Sequence, residues 1–323
     1  MWRHALHSPP ARSIAAALAW GVVPVGGGAL VMFADGGVQA RSLTPQVAFA
    51  LPAPELRPLI TTYYLVATDG PLSDLLHPEW GNIRFTTAGH WQVERPGCPD
   101  ESPRRVGLFG PSDRTATVTS NGPAAMIGIG LTALGWDQLI GESAHLHANR
   151  MTHPGSALGT WLDGLHAILV NCDWADTPAL LDQHFTALAA AAPPPDPLIG
   201  QVQQALVDGD FEHVGDLAAR VGLSERTLER LCKRVFGFAP KRLLRRQRFL
   251  RTLAEIGDRL DQPLAVLLDG HYYDQSHFIR EFKTFMGMTP LAYFRSPRQM
   301  MRRAGAERQR TAGAPVQGLH REG

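Results

Sequence analysis

The chain has 323 residues, 44% of them hydrophobic, which suits two packed domains and excludes a wholly disordered protein. Its three isolated cysteines form no C-x-x-C pair, so we expect no disulfide framework, zinc site or other cofactor, and a reducing, cytoplasmic setting. The net charge of +1 is unevenly spread. Residues 1–198 have 10 Lys/Arg against 16 Asp/Glu, a net charge of −6, whereas residues 199–303 have 18 against 12, a net charge of +6, and residues 304–323 add +1. The basic second half can therefore face a polyanion.

Residues 1–46 form an extension ahead of the first predicted domain. The uncharged stretch SIAAALAWGVVPVGGGALVMFA (13–34) follows Arg3 and Arg12, as in a signal peptide or a short membrane span. Pro24 and the three consecutive glycines at 26–28 interrupt it, and no clear cleavage site is present. We expect a disordered extension; the alternatives are a membrane anchor and an ordered piece of the first domain.

Residues 47–192 predict an antiparallel β-sheet or barrel followed by helices. Short runs such as ITTYYLVAT and AAMIGIGL, rich in Thr, Val, Ile and aromatic residues, alternate with turn residues up to Leu134. From Gly135 onward, apolar residues recur every three or four positions, which is typical of helices. Two leucine rows on these helices are our candidates for a homodimer contact, and the alternative is that they cover the sheet. The rows are Leu158, Leu162, Leu165 and Leu169, then Leu180, Leu181 and Leu188.

A proline-rich linker at 193–197 separates the two predicted domains, since consecutive prolines cannot continue a helix and form a stiff spacer. Residues 198–297 have a helical pattern throughout, and we expect a basic, disordered tail over 298–323. The predicted fold class is therefore α+β with two domains, the second of them all-α.

Two stretches of the second domain, VGLSERTLERLCKRVFGFAP (221–240) and HYYDQSHFIREFKTFMGMTP (271–290), match at an offset of 50 residues. Ser224 aligns with Asp274, each a good N-cap, and Arg230 aligns with Arg280. Each copy thus predicts a short helix, a tight turn and a second helix. This is a helix-turn-helix unit, present twice and joined by a linker helix.

In such a unit the second helix lies in the major groove of DNA. Helical periodicity places Leu228, Cys232 and Val235 on the inner face of the second helix in the first copy. It places Phe278, Phe282 and Phe285 on the inner face of the second helix in the second copy. The residues expected to contact DNA are Arg226, Glu229, Arg230, Lys233, Arg234, Gln275, Ser276, Arg280 and Lys283. Arg and Gln suit base edges, whereas Lys233, Arg234 and Lys283 suit phosphates. The alternative is that these are merely the solvated faces of a helical bundle.

The helix that joins the two copies sets their separation. From Pro240 to Ile256 it would span about 25 Å at about 1.5 Å per residue. Successive major grooves on one side of a duplex lie about 34 Å apart. One monomer can therefore read two grooves.

The tandem segment resembles the AraC/XylS family of bacterial transcription regulators. The resemblance is carried by LAARVGLSERTLERLCKRVFGFAPK (217–241), RRQRF (245–249) and YYDQSHFIREFKTFMGMTPLAYFR (272–295). It implies a sequence-specific regulator of double-stranded operator or promoter DNA, an activator that contacts RNA polymerase. It also implies base contacts by Arg226, Glu229, Arg230, Gln275, Ser276 and Arg280. The family usually has an aromatic or aliphatic residue where Cys232 stands, and Gly where His271 stands.

The same family commonly adds a sensing or dimerising front domain, and residues 53–150 resemble one type through HPEWGNIRF (77–85), GLFGPSD (107–113) and IGIGLTALGW (127–136). A small-molecule effector can lie in the mouth of a β-barrel. The residues expected to line such a pocket are Tyr63, Tyr64, His77, Trp80, Arg84 and Trp91. The alternative is that the aromatic ones are core residues.

Catalytic and metal chemistry has little support in the sequence. It contains no GxSxG, P-loop or GxGxxG motif, and His145, His147 and His153 match no standard ligand spacing. We expect a regulator that is not an enzyme. The alternatives are an enzyme or ligand-binding protein in which the helical module is incidental, and a membrane-anchored regulator.

Overall fold

The computed structural model describes the chain in six pieces and divides it into two compact units, Met1–Leu43 and Thr44–Gly323. The described residues are 22–25, 28–32, 38–40, 45–95, 105–257 and 272–321. Among the helices within these ranges, none is both long and apolar enough to cross a membrane.

The first unit contains a three-stranded antiparallel sheet of β1 (Val22–Val25), β2 (Gly28–Met32) and β3 (Val38–Ala40), in that order. Valine-rich runs favour strands, and Pro24 lies on an edge strand, where proline is tolerated. The prediction of disorder over 1–46 is therefore wrong for these strands. The other parts of the uncharged stretch at 13–34, for which a membrane anchor was an alternative, lie outside the described residues.

The second unit begins with two antiparallel sheets. The larger has the order β12-β9-β7-β11-β5-β4, and the smaller has the order β6-β10-β8. The larger contains β4 (Gln46–Ala50), β5 (Ile60–Thr68), β7 (Asn82–Ala88), β9 (Val106–Phe109), β11 (Ala124–Leu131) and β12 (Met151–Thr152). The smaller contains β6 (Leu72–Leu76), β8 (Gln92–Glu94) and β10 (Ala116–Ser120). No pairing joins these sheets among the described strands, so the α+β prediction is confirmed with open sheets rather than a closed barrel.

The strands of the larger sheet alternate between two hydrophobic cores, because successive side chains on a strand point to opposite faces. Tyr64 packs with Trp91 and Val93 of the smaller sheet. Tyr63 and Ile83 instead pack beneath the helices. The larger sheet is thus covered on both faces.

Helices of the front domain cover one of these faces. They are α1 (Ala133–Gly135), a π-helical turn (Trp136–Ile140), α2 (Ala144–His147), α3 (Ser156–Leu169) and α4 (Thr177–Ala190), after a 3-10 turn at Pro54–Leu56. Four leucines of the predicted dimer contact are buried, and the other three are partly buried against the same core. The rows pack within one chain, which removes the unpaired apolar surface that motivated the dimer prediction.

The C-terminal helices follow the predicted pattern. They are α5 (Pro197–Asp208), α6 (Val214–Arg220), α7 (Glu225–Phe236), α8 (Pro240–Ile256), α9 (Gln275–Met286) and α10 (Pro290–Arg295). The side chain of Asp196, at the end of the proline-rich linker, caps α5 by accepting from the Leu198 N–H at 3.0 Å. One hydrophobic core continues across the linker, from Phe185 to Ile199 and Leu228. The residues just before the second copy's capped helix, 258–271, where its predicted short first helix would fall, lie outside the described residues.

The C-terminal tail is helical rather than disordered, which corrects the prediction for 298–323. It forms α11 (Gln299–Ala312) and a 3-10 turn (Gln317–Leu319). Asp74 of β6 accepts hydrogen bonds from the Met300 and Met301 N–H groups at 2.7 and 3.3 Å. These contacts join residues more than 220 positions apart, so the local composition of the tail does not reveal them.

Candidate nucleic-acid interface and buried cavity

The second helix of each copy has the same local construction. Ser224 caps α7 and Asp274 caps α9, each accepting from the N–H three residues later, at 3.2 and 2.6 Å. Gly237 ends α7 at φ 81° and Gly287 ends α9 at φ 69°. Both are left-handed conformations in which glycine is favoured. The repeat in the sequence is therefore a repeat in backbone structure.

The inner faces are as predicted. Leu228, Cys232 and Val235 of α7 are buried, as are the three phenylalanines of α9. Phe249 of α8 stacks on Phe285 with ring centroids 5.0 Å apart. Burial raises the pKa of the Cys232 thiol to about 12, so this cysteine is an unreactive core residue at neutral pH.

The outer faces carry the predicted contact residues, and all nine are exposed: Arg226, Glu229, Arg230, Lys233, Arg234, Gln275, Ser276, Arg280 and Lys283. Lys233 pairs with Glu229 at 2.8 Å, and this contact lowers the pKa of the Glu229 carboxyl. Arg234 pairs with Asp137 of the front domain and lies 3.7 Å from Asp196. A phosphate contact by Arg234 thus competes with carboxylates of the same chain.

One exposed side chain at this surface escaped the sequence analysis. Tyr273 is 95% exposed, immediately before the Asp274 cap of α9. An aromatic side chain can contact thymine methyl groups in the major groove. Tyr273 was not predicted because it precedes the helix, and helical periodicity selects only residues within the helix.

A buried ionic cluster fixes α9 on the linker helix. Glu281 is buried and accepts from Arg245 of α8 at 2.7 Å and from the Tyr272 hydroxyl at 3.1 Å, with Arg248 at 3.3 Å. The carboxylate therefore ties the start and middle of the second copy to α8.

The turn GLFGPSD (107–113) docks the front domain onto the DNA-binding helices. Asp113 Oδ2 accepts from Arg242 Nε of α8 at 2.6 Å. Burial raises the pKa of the Asp113 carboxyl, but Arg242 and the other partners outweigh burial and lower it. Next to this turn, the Thr115 N–H donates to the Phe285 carbonyl at the end of α9, at 2.8 Å.

Arg246 of α8 is fully buried at this interface. Its guanidinium lies 3.8 Å from the ring centroid of Trp80 and donates to the Ser112 carbonyl at 2.9 Å. Burial lowers its pKa to about 9. A charged side chain of the linker helix is thus enclosed by the front domain.

Two of the three histidines considered as metal ligands have hydrogen-bond partners. His145 lies 3.1 Å from the Gly237 carbonyl, and His147 bonds to Glu142 and Thr152, each at 2.8 Å. His153 is exposed. Within the described ranges, no three His, Cys, Asp or Glu side chains are grouped as metal ligands would be.

A cavity of about 90 Å³ lies between the front sheets and α11. Three of the six predicted pocket residues, Tyr64, His77 and Arg84, line it, and the C-terminal tail contributes Met300 and Arg308. Sequence reasoning missed the tail residues, because the tail was expected to be disordered.

The other three predicted pocket residues lie in the cores. Tyr63 neighbours Tyr64 on β5 and so faces the opposite side of the sheet, where its hydroxyl donates to Asp182 at 2.9 Å. Trp80 packs against Phe236 with centroids 5.4 Å apart, and Trp91 is fully buried between the sheets.

Residues 217–296 match the helix-turn-helix domain family. This segment is an AraC-type helix-turn-helix domain. The AraC-type domain contains both candidate recognition helices, α7 and α9, which supports a DNA-binding transcription regulator. No curated protein matches the chain.

Several solved structures are similar at low identity. ToxT from Vibrio cholerae is 9% identical, with 78% of this chain and 98% of ToxT covered and a TM-score of 0.42; one structure of ToxT contains an unsaturated fatty acid. The AraC-like transcriptional activator CuxR is 17% identical, with 64% and 82% covered and a TM-score of 0.24. A cupin domain of a regulator from Enterobacter cloacae is 9% identical, with 27% and 94% covered and a TM-score of 0.20. These scores are low, so the assignment of the AraC-type domain depends on the sequence match.

Proposed function

We propose that the protein is a sequence-specific transcription activator whose two recognition helices read successive major grooves on one side of a promoter. The observation that carries this proposal is the pair of helices α7 and α9, which have matching N-caps and C-terminal glycines, buried apolar faces and exposed polar faces. A solvated bundle face has no need of two such helices in register.

Division of labour among the exposed residues follows from their chemistry. Arg226, Arg230, Gln275 and Arg280 have the donors that read guanine or adenine edges, and Ser276 and Glu229 can complement other bases. Lys233 and Lys283 hold phosphates, which fix register without reading sequence. RNA polymerase is the partner that an activator at a promoter contacts.

The front domain would act as a sensor. Its contacts with α8 and α9 through Asp113, Arg246 and Thr115 support this role, because a change in the front domain can move the recognition helices. A dimerising role is the second candidate, with its contact outside the buried leucine rows.

Selection of DNA by the purified full chain, followed by footprinting, tests the proposal. We expect a footprint of about two helical turns, with two contact regions about 10 bp apart. Affinity should fall steeply with salt concentration, because Lys and Arg displace condensed counterions. Absence of any selected sequence at low salt, or a single contact region, would contradict the two-groove proposal.

A further inference from the structure

Two buried guanidinium groups line the cavity between the front sheets and α11. Arg84 is 4% exposed and Arg308 is 5% exposed. Arg84 Nη1 and Arg308 Nε and Nη2 have no hydrogen-bond partner among the described residues. Buried polar atoms in proteins nearly always have partners, so three such donors at one cavity indicate a missing acceptor.

The charges of the cavity do not balance. Arg84 pairs with Glu79 at 2.6 Å and donates through Nε to the Tyr64 hydroxyl at 2.8 Å. Among the described residues, Arg308 donates to the neutral Thr62 hydroxyl at 2.8 Å and lies 5.5 Å from the Phe49 ring centroid, with no carboxylate in an ion pair with it. Burial lowers the pKa of Arg308 to about 10, and that of His77 to about 4, so at neutral pH His77 is uncharged and one positive charge stays uncompensated. An uncompensated buried charge is costly unless an anion joins it.

The rest of the lining is largely apolar. Phe49, Val66, Leu76, Met300 and Met301 surround the two arginines. A water needs only about 10–15 Å³, so a cavity of about 90 Å³ has room for an organic group. Ala304 and Gly305, which also line it, are partly exposed, so the cavity lies close to solvent on its α11 side.

We propose that this cavity binds a small organic monocarboxylate, with its carboxylate between Arg84 and Arg308 and its apolar body against Met300, Met301 and Phe49. A guanidinium edge matches a carboxylate in geometry and charge, and one negative charge balances the one in excess. This proposal names a ligand class for the sensing role proposed above, and any effect of the ligand on DNA binding rests on that proposed function. Binding itself does not depend on DNA.

Residues at the cavity also contact the helices that support the second recognition helix. Val316, beside it, packs into the core of α8, α9 and α10, and the Tyr293 hydroxyl of α10 lies 2.8 Å from His77 Nε2. A ligand that fixes α11 therefore fixes the support of the second recognition helix.

Calorimetric titration of the full chain with acetate, butyrate and benzoate tests the site, with butyramide and benzamide as neutral analogues. We expect at least one acid to bind while its amide does not. Arg308→Met should weaken that acid by about 10- to 100-fold, the effect of losing hydrogen bonds to a charged group. Arg310→Met, on the exposed side of the same helix, should leave the affinity unchanged. Arg308→Met should also raise the melting temperature without ligand, since it removes a buried, unpaired charge.

Ala304→Leu provides a second variant that keeps both arginines and fills the cavity, and it should lose binding as well. If none of the three acids binds, if inorganic phosphate or the amides bind equally well, or if both variants bind as the wild type does, the proposal is wrong. DNA affinity measured in parallel without acid separates the two proposals. Acid binding without DNA binding contradicts the proposed function alone, and DNA binding without acid binding contradicts this inference alone.

Discussion

At the scale of single residues, the basic side chains of the two recognition helices are engaged differently. Arg230 and Arg280 are exposed, and neither forms an ion pair within the described part of the chain. Lys233 and Arg234 are paired with carboxylates. The unpaired arginines can thus contact bases without breaking an ion pair, whereas the paired basic side chains must exchange partners.

Arg230→Ala should reduce affinity by about 1–3 kcal/mol at one or two base positions and relax preference there. Lys283→Ala should instead weaken all sequences about equally and reduce the salt slope by about one. Competition binding with single-base variants of the selected site, at several salt concentrations, measures both effects. Arg310→Ala is the control. Two indistinguishable variants would refute the separation of base readers from phosphate holders.

Two buried histidines make stability depend on pH. Burial lowers the pKa of His77 and of His320 to about 4, from an ordinary 6.5. Between these values the unfolded chain binds protons that the folded chain does not, so stability falls as pH falls from about 6.5 to about 4 and is unaffected above 6.5. His77→Gln should remove up to about 1.4 kcal/mol per pH unit of that slope. Denaturation midpoints from pH 5 to 7 test this, with exposed His153→Gln as the control; an unchanged slope in His77→Gln would exclude His77 as a source.

At the scale of elements, the sequence was informative where structure is local. The caps Ser224 and Asp274, the glycines that end α7 and α9, and the alternating strands β5 and β11 all depend on neighbouring residues. Helix α11 was not predicted because its N-terminus is capped by Asp74 of β6, 226 positions away in the sequence. For the same reason the sequence predicted the front-domain residues of the cavity but not Arg308, which belongs to that helix.

The two glycines that end the recognition helices should differ in tolerance. Gly287→Ala meets nothing within 4 Å, so it should cost only the left-handed conformation, about 1 kcal/mol. Gly237→Ala should cost more, because its Cβ would also lie 3.2 Å from the Ala144 carbonyl. Gly200→Ala, inside α5 with open space around it, should stabilise by about 0.5–1 kcal/mol. Urea denaturation of the three variants measures the order, and equal costs at 237 and 287 would show that the front domain does not crowd Gly237.

A capping contact in trans can be tested in the same way. Asp74→Ala removes the carboxylate that accepts from two N–H groups at the start of α11, and should destabilise the protein by about 1–2 kcal/mol. Ser73→Ala, its exposed neighbour on β6, should have little effect. A melting temperature unchanged in Asp74→Ala would mean that packing alone holds α11.

At the scale of the whole molecule, the acidic front domain neutralises part of the basic DNA-binding half. Asp113 pairs with Arg242 and Asp137 with Arg234, and Asp196 of the linker lies 3.7 Å from Arg234. Acidic residues of the first half of the sequence and basic residues of the second half therefore form ion pairs with each other across the interface. These contacts use side chains that DNA phosphates would otherwise attract, so we expect docking of the front domain and DNA binding to oppose each other.

Asp137→Asn should consequently tighten DNA binding. Burial raises the pKa of Asp137, and Arg234 partly offsets this, so the carboxylate is an unfavourably placed partner that phosphate can replace. Exposed ion pairs contribute up to about 1 kcal/mol, which predicts a gain of about two- to fivefold in affinity and a salt slope steeper by about one. Asp163→Asn, exposed on α3, controls for the change in net charge. The gain should vanish when Arg234→Ala is combined with Asp137→Asn, and an equal gain in Asp163→Asn would show that only long-range charge is at work.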